Sequence, residues 1–99
     1  MDAKTKEGVT PLMAACQGGY VEVARLLLEK GAAVDAQSKK GMTALMMACR
    51  DGHVEMARLL LEKGADRTLP TPLGPPLLEV LDRFGHPEEK VAELRALLA

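Results

Sequence analysis

The chain has 99 residues, 47% of them hydrophobic, 27% charged and 2% aromatic, and 13 basic against 14 acidic side chains give a net charge of -1. That supports one modest core, excludes two separate domains, and is too apolar for an intrinsically disordered chain. The near-zero charge offers no electrostatic pull on nucleic acid or an anionic membrane, no stretch reaches the roughly 18–20 apolar residues of a spanning helix, and Met1-Asp2-Ala3-Lys4 does not read as a signal peptide, so the expected compartment is cytoplasm or nucleus.

Residues 2–34 lie over residues 35–67 without a gap, at an offset of 33 residues and with 21 of 33 positions identical. A period of that size is the signature of a stacked repeat. In chain order, Thr10-Pro11-Leu12 predicts the start of a short helix, with the Thr hydroxyl capping open N–H groups and Pro11 suited to the first helical position. Gly19 ends it. A second helix is expected over residues 21–29, with Val21, Ala24, Leu27 and Leu28 on one face and Glu22, Arg25 and Glu29 on the other. Gly31 supplies a left-handed cap. The polar run Asp35-Ala36-Gln37-Ser38-Lys39-Lys40-Gly41 reads as a turn, after which Thr43-Ala44-Leu45, Gly52, a helix over residues 54–62 and Gly64 repeat the pattern.

Residues 68–99 continue in degenerate form. Gly74, Leu78 and Gly85-His86 fall 33 residues after Gly41, Leu45 and Gly52-His53. The segment Thr68-Leu69-Pro70-Thr71-Pro72-Leu73-Gly74-Pro75-Pro76 holds four prolines, which cannot donate to a hairpin ladder, so an extended, stiff connection without a hairpin is expected. A last helix follows Pro87-Glu88-Glu89, its stripe Val91, Leu94, Leu97 and Leu98 reproducing Val54, Ala57, Leu60 and Leu61 at an offset of 37. The expected architecture is one domain, 1–99, built as an all-α repeat solenoid of stacked helix-turn-helix units with extended or β-turn finger loops. Its units are 2–34, 35–67 and a Pro-rich capping unit, 68–99.

The chain resembles the ankyrin repeat family. The resemblance rests on Gly-x-Thr-Pro-Leu-x-x-Ala at residues 8–15, its echo at 41–48, and Gly-x-Val-Glu-x-Ala-x-Leu-Leu-Leu-x-x-Gly-Ala at 19–32 and 52–65. Three positions depart from the family pattern: Met13 and Met46 replace the usual His, Thr5 and Ser38 the Asp of the turn, and Asp35 an Asn. Losing the His removes a group that braces the turn, which predicts looser fingers.

Catalysis finds no residues to rest on: no nucleophile stands in a base-bearing context, no Gly-rich phosphate loop occurs, and Glu22, Arg25 and Glu29, like Glu55, Arg58 and Glu62, read as solvated helix faces. Cys16 and Cys49, equivalent by repeat, are expected to be buried, reduced thiols, because stacked repeats sit on the order of 10 Å apart, too far for a bridge. A metal site from Cys16, Cys49, His53 and His86 would draw on three units and lacks zinc-finger spacing. No metal or other cofactor is expected.

What remains is recognition. The resemblance implies a concave face, made of finger tips and first-helix ends, that binds another protein. Carried over by position, it comprises Lys4, Lys6, Glu7 and Val9 in the first finger, Gln37, Lys39, Lys40 and Met42 in the second, and Gln17, Arg50, Asp51, Arg83 and Phe84 at the helix ends. Clustered lysines beside Val9 and Met42 suit an acidic partner with hydrophobic anchors. Competing readings are a regulatory or tethering segment of a larger enzyme, or a self-associating scaffold. The latter is suggested by a first unit as apolar as an internal one, which predicts Leu, Val and Met exposed on its N-terminal side and a route to homodimers or flanking repeats.

Overall fold

The computed structural model describes residues 5–99. Six α-helices follow one another: α1 (Pro11–Gly18), α2 (Val21–Glu29), α3 (Ala44–Arg50), α4 (Val54–Glu62), α5 (Leu77–Val80) and α6 (Glu88–Leu98), with a 3₁₀ turn at Leu81–Phe84 after α5. They form three helical pairs, the third split by the 3₁₀ turn. Helix α1 packs on α2 and α3, α3 on α4, α2 on α4, and α4 on α6, so the main contacts run within a unit or to the next one along. That nearest-neighbour pattern defines a solenoid.

Both N-caps follow from Thr. Thr10 and Thr43 accept from the Met13 and Met46 backbone N–H at 3.2 and 3.3 Å. The reciprocal bond comes from the side chain three residues on, where the Met13 and Met46 sulfurs accept from the Thr10 and Thr43 backbone N–H at 3.4 Å. A thioether is a weak acceptor, but all of these side chains are buried, where an unmatched N–H is costly. The expectation of looser fingers is corrected accordingly: methionine supplies a bracing acceptor where a histidine was missed.

At the far end of α1 and α3, Gly19 and Gly52 adopt the left-handed conformation, with φ of 72° and 75°. The Tyr20 and His53 N–H groups then reach back to the Ala15 and Ala48 carbonyls, closing the helices. A Cβ at Gly19 would stand 3.0 Å from the His53 ring, and one at Gly52 3.0 Å from the His86 ring. Those rings link the units, since His53 Nε2–H donates to the Gln17 carbonyl and His86 Nε2–H to the Cys49 carbonyl, both at 3.0 Å. Two further links run along the stack: the Asp35 carboxylate accepts from the Asp66 N–H at 2.8 Å, and the Lys39 N–H donates to the Glu7 carbonyl at 2.8 Å.

The core is assembled from α1, α3 and α4, with Leu12, Leu45, Met46, Met56 and Leu60 among its largest fully buried side chains, and is closed by Leu77, Leu81, Leu94 and Leu98. Helix α6 buries Leu94 and Leu98 and half-buries Val91 and Leu97, while Glu88, Glu89, Glu93 and Arg95 face outward together with Ala92 and Ala96. Cys16 and Cys49 are free and completely buried. Burial pushes both thiols up from 9.0 to about 12.

The third finger differs from expectation. Its chain turns as the other two do: the Thr5, Ser38 and Thr71 N–H groups donate to the Val9, Met42 and Pro75 carbonyls, and Gly8, Gly41 and Gly74 N–H groups close the turns onto Thr5, Ser38 and Thr71. Pro70 and Pro76 pair across its base as an isolated antiparallel bridge. The expected stiff, open connection is thus replaced by a hairpin-like turn. Prolines are tolerated because the donors the turn needs lie on Thr71, Leu73 and Gly74. At residue 75 even the lost N–H is accommodated. Ser38 accepts from the Met42 N–H, whereas the Thr71 hydroxyl reverses and donates to the Pro75 carbonyl at 2.8 Å.

Candidate interaction face

The three fingers share a backbone and differ at their tips. Lys6-Glu7, Lys39-Lys40 and Pro72-Leu73 occupy equivalent places, 33 residues apart. Lys6, Glu7, Lys39 and Lys40 are exposed, as is Gln37 at the root of the second finger. Lys4 lies outside the described residues. Val9 and Met42 are half-buried and pack against the core from the finger bases. Gln17 is exposed on α1, with its carbonyl held by His53.

Arg50 and Asp51, at the end of α3, form a forked pair, with Nε–Oδ1 at 3.2 Å and Nη2–Oδ2 at 3.4 Å. Being exposed and screened, it orders the two side chains more than it stabilises the fold. Arg83 is exposed in the 3₁₀ turn. Phe84, next to it, is half-buried with its ring 6.4 Å from that of His86, tilted by 55°. Because His86 is tied to Cys49, the Phe84 ring is positioned by the inter-unit link.

Among the expected face residues, Met42, Arg50 and Phe84 meet at one concavity of about 210 Å³, whose walls are completed by Met46, Thr71, Pro72 and Leu73. Lys6, Glu7, Val9 and Gln17 are not part of it. Pro72 and Leu73 escaped the sequence reading although the signal was present: the 33-residue register sets this apolar pair over Lys39-Lys40, so the third tip changes chemistry. Among the described residues, no group of His, Cys, Asp or Glu is arranged to hold a metal ion. No helix among them is long and apolar enough to cross a membrane.

Stacked helical pairs, finger turns on a 33-residue period and Gly-capped first helices define a helical repeat protein. A family model described as ankyrin repeats (3 copies) matches residues 1–70, and the chain belongs to the ankyrin repeat family. Over 35 residues it is 54% identical to the ankyrin repeat and KH domain-containing protein mask of Drosophila melanogaster, and to the human ankyrin repeat and KH domain-containing protein 1 and ankyrin repeat domain-containing protein 17. Each match takes in 35% of this chain and 1% of the relative. The ankyrin repeat is a general protein–protein interaction module, and the family is generally non-catalytic.

Proposed function

We propose that this chain is a non-catalytic binding module whose finger tips and first-helix ends take a partner protein of mixed acidic and hydrophobic character. The observation that carries this reading is the convergence of Met42, Arg50 and Phe84, from a finger, a helix end and the third unit, on one concavity, with Lys39 and Lys40 exposed at the tip of the finger that carries Met42. Rigidity supports it, because linked fingers and braced turns lose little conformational freedom on binding. The test is capture from source-cell extract with mass-spectrometric identification, comparing the wild type with a folded Lys39→Glu, Lys40→Glu, Met42→Ser variant. Partners held by the wild type and lost by the variant are expected; identical capture by both sinks the reading.

A second reading, self-association, is favoured by the exposure of Val23 and Leu26, at 50% and 55%, on the outer face of α2. Sedimentation equilibrium of the wild type against Val23→Glu, Leu26→Glu decides it, because a dimer through this face dissociates in the variant and a monomeric wild type ends the idea.

A further inference from the structure

The seams between adjacent fingers are built differently. Between the first and second fingers, the Lys39 N–H donates to the Glu7 carbonyl at 2.8 Å and draws the tips together. The residue equivalent to Lys39 in the third finger is Pro72, which has no N–H to give. The second seam therefore lacks that closing bond, and the Lys40 carbonyl, counterpart of Glu7, is left without that donor. The concavity of about 210 Å³ lies between the same two units.

Its lining is apolar. Met42 and Met46 from the second unit and Thr71, Pro72, Leu73 and Phe84 from the third line it, and Arg50, which also lines it, is already matched by Asp51. Leu73 is 53% exposed, an unusual place for a large aliphatic side chain at a turn tip. The volume falls below the roughly 300–1,000 Å³ of small-molecule sites and fits one side chain. Two methionines give the walls the adaptability of unbranched thioethers. Lys39 and Lys40, exposed and paired with no carboxylate among the described residues, put two positive charges on the tip of the finger that carries Met42.

We infer that this seam is an anchor pocket: it takes one leucine, isoleucine or methionine side chain from an extended segment of the partner protein, with aspartate or glutamate beside the anchor facing Lys39 and Lys40. The inference rests on the concave-face reading above and specifies its ligand. Burying such an anchor together with Leu73 supplies the apolar centre, and the lysines supply a charged rim, which is the usual division of labour in a peptide-binding hot spot.

The test is selection of random twelve-residue peptides displayed on phage against the folded chain, followed by fluorescence anisotropy with the synthetic peptides. The expected winners carry one aliphatic or methionine anchor next to acidic residues. Their affinity falls by about tenfold or more when the anchor becomes alanine, and similarly for Leu73→Asp, whose exposed site leaves melting unchanged. Lys39→Glu, Lys40→Glu weakens them further, most at low salt. Failure to select anchored peptides, or equal binding by wild type and Leu73→Asp, overturns the pocket. If such peptides still lose affinity for the lysine variant, the concave-face reading survives without it; if neither change matters, both fall.

Discussion

Helices α2 and α4 differ at one position in nine, VEVARLLLE against VEMARLLLE, and sit in opposite surroundings. In α4 Met56, Ala57, Leu59 and Leu60 are buried, whereas in α2 only Ala24 is. Leu59 is 3% exposed and its counterpart Leu26 is 55% exposed. The residues preceding the helices diverge in the same sense. His53 reaches back to Gln17 of the preceding unit, while Tyr20 folds over Gly18 of its own and stays 64% exposed. Nearly identical helices thus acquire different roles because α4 packs between α2 and α6, whereas among the described residues α2 has α4 alone as a neighbouring long helix. In a solenoid, burial belongs to the interface between units as much as to the helix itself.

The comparison is broken most severely at Leu60, which is completely buried. Leu60→Ala removes core volume and is expected to cost about 2–5 kcal/mol, enough to unfold a small chain, as read by urea denaturation. Wild-type melting would mean that α4 does not carry the core.

Glycine substitutions sharpen it next. Gly31→Ala meets open space and incurs only the left-handed backbone penalty, about 1–2 kcal/mol. Gly52→Ala adds a close approach to the His86 ring and Lys90, so its loss of stability should be larger, with the disturbance seen in the His86 ring resonances. His86→Ala removes one inter-unit hydrogen bond and is expected to cost about 0.5–1.5 kcal/mol in thermal melts.

The two thiols give an effect that depends on pH. Their pKa rises on folding from 9.0 to about 12, so below pH 9 both states hold the protons and stability is constant. Between about 9 and 12 the unfolded chain loses protons that the fold retains, and stability must fall as pH rises. Denaturation at pH 8 and 10.5 should show a smaller decline in Cys16→Ala, Cys49→Ala than in the wild type. Smallest of all, Arg58→Ala breaks an exposed pair with Glu55 and should change stability by less than about 0.5 kcal/mol.

Much of the fold was legible in the residues because each unit carries its own punctuation. Thr10 and Thr43 mark the short helices, and the apolar stripe bounded by Gly31 and Gly64 marks the long ones at the limits observed, Val21–Glu29 and Val54–Glu62. The outer exposure of the first unit was legible too, at Val23 and Leu26, though among the described residues Tyr20 and no methionine is the further large hydrophobic side chain exposed on that unit. The bracing sulfurs of Met13 and Met46 were not, because a thioether advertises packing and accepts a hydrogen bond only once the turn has aimed an N–H at it. Nor was the third turn, where counting prolines counted missing donors without asking which donors the turn uses. The proposed interaction face could be written from the sequence only as a list of positions. The concavity is lined from two units at once, by Met42, Met46 and Arg50 of the second and by Thr71, Pro72, Leu73 and Phe84 of the third, so no single unit's residues spell it out.

The most direct measurement compares Leu26→Ala with Leu59→Ala by urea denaturation, the same chemical change at the same place in nearly identical helices. Stacking requires a loss of about 2–5 kcal/mol at Leu59 and a change within about 0.5 kcal/mol at Leu26. Equal losses at both would contradict the claim that the neighbouring unit, and not the helix sequence, decides what is buried.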